Sequence, residues 1–347
     1  MKKVNYLIVG QGIAGSLLAV ELIRAGRDVH VINHETENTS SNKAAGIYNP
    51  ITGRQMVKTW LADSLFPILE PYYQQLEREV DLKFLYPKSI YRPFYSHEEL
   101  NDWEGKAAEL AYQPYIKEIL TKASGIKGVR DEFGGLLLNY SGYVNLPDMI
   151  RGIRHVLEDK GNYTNELFDH SQLKLADGAH YKNIKADYVI FCDGPMVTDN
   201  PLWNYLPFKP VKGEILEIDT TLPEDMIVNR GVFVLPKNGH FSVGSTYDHD
   251  HLDYVPSEKG IKNLQDRLHK LYQKEYTIVS KSAGVRPATY DRRPFIGQHT
   301  DHPQVGIFNG FGTKGVSLVP FFAGQYVNYL ERSGELLPEV DVRRVKI

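Results

Sequence analysis

The chemistry legible in this chain begins with glycine. Gly10, Gly12 and Gly15 follow the apolar run Val4–Val9 and lead into a stretch of helical character. That spacing suits capture of a pyrophosphate. The first glycine permits a tight turn, the second leaves no side chain between backbone and phosphate, and the third lets the helix pack closely on a sheet. The helix, predicted from about Ile13 to Ala25 and stopped by Gly26, begins with Ile13 and Ala14. Its unpaired N-terminal amides and positive dipole end would face the ligand. A second turn, Gly310-Phe-Gly312-Thr313-Lys314-Gly315, also lies between an apolar run and a helical stretch. A second helix N-terminus can therefore face an anion or a polarised cofactor carbonyl.

Other chemistries lack their residues. Cys192 is the only cysteine, which excludes intramolecular disulfides and a cysteine metal cluster within one chain. It lies inside an apolar run and reads as a buried, inert thiol. His249-Asp250-His251 reads as a surface loop, and no metal site is predicted. An acidic residue is expected at the end of the second strand to hold ribose hydroxyls, but Asn33 stands there, followed by His34 and Glu35. Asn33 can accept through its amide oxygen and Glu35 is the fallback; the choice stays open.

A chain of 347 residues has room for two domains with separate cores. The formal charge of −3 gives no electrostatic reason to expect nucleic acid or an anionic membrane as partner. Lys2-Lys3 precede an apolar stretch, but Gln11, Ser16, Glu21 and Arg24 interrupt it at helical spacing, so it reads as structure rather than a secretory signal. A cytoplasmic location is the expectation.

The elements that must position these residues read as follows. A polar, small-residue loop spans Thr39 to Pro50, and a long helix is predicted from about Gln55 to Val80, broken or kinked near Pro67 and Pro71. Leu82 to Tyr140 is rich in aromatic strands, with a helix near Glu98 to Leu110 and a strand at Gly135–Tyr140. Tyr86, Tyr91, Phe94 and Tyr95 read first as core or sheet surface. A helix follows Pro147 as far as Lys160. Ala186–Phe191 is then a buried strand, whose Asp193-Gly194 turn would deliver backbone to the cofactor. A second excursion starts at Pro210, with a strand pair across Lys237-Asn-Gly239, a helix over Glu258–Tyr272 and a strand at Tyr276–Ser280. The final helix is predicted from about Val316 to Leu330.

In order, the N-terminal glycine fingerprint, Ala45-Gly46, Pro210-Val-Lys-Gly213, Val243-Gly244-Ser-Thr246, Gly284-Val-Arg286-Pro287 with Asp291 and Pro294-Phe-Ile-Gly297, and Gly310–Gly315 resemble the FAD-dependent D-amino-acid oxidase superfamily, in its glycine oxidase and sarcosine oxidase branch. The resemblance implies an α/β fold: a Rossmann-like FAD-binding domain (residues 1–80, 142–205 and 284–347) with an inserted α+β substrate domain built on a mainly antiparallel sheet (residues 81–141 and 206–283). It implies FAD in the extended form with its ring between the domains. Sarcosine oxidases that attach flavin covalently use a late cysteine, and none occurs here.

By the same resemblance, FAD would be contacted by Gly10, Gly12, Ile13, Ala14, Gly15, Asn33, His34, Ala45, Gly46, Asp193, Gly194, Arg286, Gly310, Gly312, Thr313, Lys314 and Gly315. Substrate would be contacted by Arg286, Phe233 and Tyr48. Arg286 stands where relatives bind a substrate carboxylate, a task that suits a planar guanidinium fork; the structural alternative pairs it with Asp291. Glycine oxidase-like members carry a second arginine where this chain has Thr313 beside Lys314, and a pocket tyrosine where it has Phe233.

The implied reaction is oxidation of a small amine or amino acid to an imine by hydride transfer to the flavin, with Arg286 and Lys314 as the catalytic-site cations. Alternatives are a 2-hydroxy acid or a modified tRNA base as substrate, an NAD-dependent dehydrogenase, and a non-catalytic flavin- or nucleotide-binding protein.

Overall fold

The computed structural model describes residues 1–53 and 55–345. Arg54, Lys346 and Ile347, which fall in the segments 1–80 and 284–347 expected to bind FAD, lie outside the described residues.

The apolar run at the N-terminus forms the strand Lys2–Val9, whose Leu7 and Ile8 are fully buried. It runs parallel to Val29–Asn33 on one side and to Ile184–Phe191 on the other. Tyr163–Asn165 extends the parallel sheet beyond Val29–Asn33, and Val305–Asn309 extends it beyond Phe191. Central strands covered on both faces need continuous apolar sequence, which these have. Two antiparallel additions complete this sheet: Phe295–Gln298 along Val305–Asn309, and the hairpin Leu173–Ala176/Gly178–Tyr181 along the start of Ile184–Phe191. The helices Ile13–Arg24 and Gly315–Leu330 pack against each other, and Leu146–Asp159 and Ala62–Val80 join them.

The second large sheet runs in the order Thr277–Arg286, Val211–Asp219, His240–Gly244, Val232–Lys237, Met226–Arg230, Ser89–Pro93, Gly135–Leu138, Ile116–Leu120. Every neighbouring pair is antiparallel except Met226–Arg230 against Ser89–Pro93. Lys237 pairs with His240 across Asn238 and Gly239, both at positive φ (+55° and +80°), as a two-residue hairpin turn that follows strand twist requires. The helix Glu258–Leu271 buries Ile261, Leu264 and Leu268 on one face of this sheet. The opposite face turns toward the first sheet and its helices, where Phe233 and Leu235 meet their core.

Three sequence expectations change. The helix predicted from Gln55 starts at Ala62, because Ile51–Thr52 and Val57–Lys58 form a small hairpin and Leu61 caps the helix at φ 57°. Of the break or kink expected near Pro67 and Pro71, the break is absent: one helix runs through both prolines. Both prolines lie on its exposed face, where water can satisfy the carbonyls they leave unpaired. The strand expected at Tyr276–Ser280 continues to Arg286, so Gly284–Arg286 hydrogen-bond as part of the second sheet. No helix among the described residues is long and apolar enough to cross a membrane.

Candidate active site

The ends of three parallel strands converge. Gly10 has φ +96°, and a β-carbon built on it would lie 2.5 Å from the Cys192 carbonyl oxygen. One built on Gly15 would overlap the carbonyl of Gly10 outright. Gly12 is the N-cap of Ile13–Arg24 and lies beside Ser41, whose Oγ accepts from the Ile13 amide at 3.0 Å. The Gly12 and Ala14 amides have no acceptor among the described residues. Flush glycines with outward amides fit the pyrophosphate of a dinucleotide such as FAD. Ser41 escaped the sequence reading; its signal is Thr39, whose side chain caps the turn at Ser40–Lys43 and sets that turn against the glycine loop.

Beside this loop, Asn33 is a brace. Its Oδ1 accepts from the Gln11 amide at 2.9 Å and its Nδ2 donates to the Tyr163 hydroxyl at 3.2 Å. His34 is exposed. Glu35 accepts from Arg154 and from the Tyr163 hydroxyl. Arg154 also donates to Gln11 Oε1 at 2.9 Å, so one network joins the glycine loop to the end of the second strand.

On the other side, Asp193 accepts from Asn309 at 3.0 Å and Asn200 at 2.9 Å, and Asn309 also donates to the Gly194 carbonyl at 2.9 Å. Burial pushes the Asp193 carboxyl up to about 6 although both amides favour its charged form. Cys192 is buried, and burial raises its thiol pKa well above the ordinary value. Gly310 and Gly312 both have positive φ, and Thr313 is exposed. Gly315 brings the last helix against the first: a β-carbon there would lie 3.2 Å from Ile13 Cγ2. Two helix N-termini, about three hundred residues apart in sequence, therefore meet at one place.

Lys314 reaches from this second loop to the Thr52 and Thr59 hydroxyls at 3.2 and 3.1 Å. Burial, then the nearby charges of Arg293 and Arg292, bring its pKa down to about 8. Gly46, at φ +76°, lies flush against Val144, whose amide donates to the Gly46 carbonyl at 3.0 Å; Ala45 beside it is partly exposed.

Facing these loops is a sheet surface with few side chains. Cross-strand pairing puts Gly284 opposite Gly213, and both Ile215 and Phe233 opposite Gly244. Arg286, opposite Val211, leans back over bare Gly213. Its Nη2 donates to Ser245 Oγ at 2.8 Å and its Nη1 to the Thr246 carbonyl at 3.3 Å, with its carbon 5.0 Å from the Tyr247 ring centroid. Burial lowers its pKa and Tyr247 opposes the shift, but a guanidinium remains charged. Asp291, the alternative partner, pairs instead with Arg344 at 3.3 Å. No carboxylate pairs with Arg286 among the described residues. Phe233 lies over Gly244, 2.6 Å from a β-carbon built there. Tyr48 is 2% exposed with its hydroxyl 2.9 Å from Glu70, so its polar atom is committed within the core.

A parallel sheet with a glycine-loop cradle at its strand ends, faced by a mainly antiparallel sheet on which Arg286 has no carboxylate partner among the described residues, suits a nucleotide-cofactor enzyme of two-sheet architecture. The FAD dependent oxidoreductase (DAO) family matches residues 5–330, and the chain belongs to that family. Among its relatives is the tRNA 5-methylaminomethyl-2-thiouridine biosynthesis bifunctional protein MnmC of Legionella pneumophila, 22% identical over 96% of this chain, which spans only 55% of that protein's length. The glycine oxidase of Pseudomonas aeruginosa is 24% identical over 90% of this chain and 91% of its own. The crystal structure of iminodiacetate oxidase from Chelativorans sp. BNC1 superposes with a TM-score of 0.82 at 19% identity, covering 96% of this chain and 98% of that one, a likeness of fold.

Proposed function

We propose that the protein oxidises a carboxylate-bearing amine or amino acid to the imine. The observation that carries this reading is Arg286: a guanidinium set on the glycine-lined face, anchored by Ser245 and Thr246 rather than by a carboxylate. A substrate carboxylate would complete its charge and take its remaining donors. Phe233 would border the same space with an apolar ring.

FAD would be held by the glycine loop of residues 10–15 and the Ile13 helix, by Gly46 and its neighbours, and by the turns at 193–194 and 310–315. When bound, it supplies the acceptor for a hydride from the carbon next to nitrogen. Lys314 and the N-terminus of Gly315–Leu330 would place positive charge beside the ring. Glycine, the substrate in the name of the Pseudomonas aeruginosa relative, and iminodiacetate, that of the structural neighbour, both join an amine to a carboxylate.

A second reading, an amine carried on a tRNA base, has the support of the Legionella relative, which matches over 96% of this chain. Anaerobic addition of amino acids and secondary amines to the flavin-loaded protein tests both. Loss of the oxidised flavin absorbance with carboxylate-bearing amines is expected. An oxidised spectrum that persists with every amine, free or on tRNA, while a 2-hydroxy acid bleaches it would overturn the amine assignment.

A further inference from the structure

Arg293 stands at the opposite end of the Pro287–Pro294 loop from Arg286. Its guanidinium carbon lies 4.0 Å from the Trp60 ring centroid. Trp60 is in turn stacked on Phe322, with centroids 5.7 Å apart and planes at 19°, which fixes the indole between the last helix and the arginine. Stacking occupies the face of a guanidinium and leaves its five N–H donors free at the edge. Among the described residues none of those donors has an acceptor. The nearest acid in sequence, Asp291, accepts from the Arg293 backbone amide at 3.0 Å and directs its carboxylate to Arg344.

Lys314 reaches the residue next door. Thr59 accepts from its ammonium at 3.1 Å, so the consecutive residues Thr59 and Trp60 hold one cation each. Only hydroxyls partner the ammonium among the described residues. Burial first, and then the neighbouring charges of Arg293 and Arg292, bring its pKa down to about 8.

We propose that Arg293, supported by Lys314, forms an oxyanion-binding site for an anionic group that the substrate carries in addition to the carboxylate at Arg286. The substrate class is then an amine with two anionic groups. The second is a carboxylate on a small molecule or a phosphate on a nucleotide; an edge-on guanidinium fork takes either bidentately. The inference rests on the amine reading above for the identity of the first anion.

The test is ligand binding to the flavin-loaded protein, read from tryptophan fluorescence and flavin absorbance rather than turnover, so it stands apart from whether any amine is oxidised. Iminodiacetate is compared with N-methylglycine for the carboxylate source, and uridine 5′-monophosphate with uridine for the phosphate source. At least a ten-fold preference for the more anionic member of one pair is expected, and the pair that shows it assigns the source. Arg293→Gln should abolish that preference while changing the weaker ligand's affinity less than two-fold. Arg293→Lys, which keeps charge but loses the fork, should restore part of it. Thermal unfolding of both variants checks that they fold. No preference in either pair, or a preference that survives in Arg293→Gln, would overturn the proposal.

Discussion

The guanidinium of Arg286 lies over the α-carbon of Gly213, so close that a β-carbon there would overlap it. The arginine's aim therefore depends on the absence of a side chain on the neighbouring strand. Gly213→Ala should tilt Arg286 off the platform and raise KM for a carboxylate-bearing substrate by about ten-fold, on the order of 1.4 kcal/mol, with flavin content unchanged. Steady-state kinetics beside the visible spectrum decide it. An unchanged KM would mean that the arginine relaxes without losing its grip.

Removing the cation itself should cost more. Truncating one partner of a desolvated charge pair costs about 2–5 kcal/mol, so Arg286→Ala should raise KM roughly thirty-fold or more without releasing FAD. Arg286→Lys should recover only part of this, because an ammonium cannot reproduce two parallel donors. Equal losses for substrates with and without a carboxylate would assign the arginine a structural role.

Two glycines separate cofactor fit from backbone strain. Gly26, at φ +74°, faces open space, so Gly26→Ala should cost about 1–2 kcal/mol of stability through backbone strain alone and leave FAD uptake intact. Gly15 has no room for a β-carbon against the Gly10 carbonyl, so Gly15→Ala should open the cradle and abolish FAD uptake. Flavin fluorescence quenching on titration, with a urea unfolding curve for each variant, measures the two effects independently.

Lys314 sets a pH signature. Its pKa falls from 10.5 to about 8 on folding, so the folded state binds the proton less tightly than the unfolded chain. The charged side chain therefore destabilises the apoprotein fully below pH 8, and the penalty fades as pH rises from 8 toward 10.5. Relative to Lys314→Met, wild-type apoprotein should gain stability across that window. Urea midpoints at pH 7, 8.5 and 10 test this, and a pH-independent difference between the two proteins would contradict it.

Features that depend on adjacent residues are legible in the sequence alone. The buried first strand, the Gly10–Gly15 turn, the hairpin at Asn238-Gly239 and the final glycine loop each rest on short-range rules of burial, φ and helix ends. The helix start is not legible there, because a left-handed Leu61 and a two-strand hairpin leave no periodic mark, and Pro67 and Pro71 are tolerated because their helix face meets water.

What the chain does with those pieces was decided in three dimensions. Gly213, Gly244 and Gly284 share one bare face only through the register of three strands, and Ser41 reaches the Ile13 amide only because the Thr39-capped turn folds back on the glycine loop. Sequence shows Arg286 and Asp291 five residues apart; the fold sends Asp291 to Arg344 and leaves Arg286 without a carboxylate among the described residues. Likewise Trp60 and Arg293 meet across more than two hundred residues of chain. Local sequence determined the glycine turns because backbone conformation is a nearest-neighbour property. The pairing of Arg286 waited on tertiary structure because charge compensation depends on which distant groups packing brings within reach.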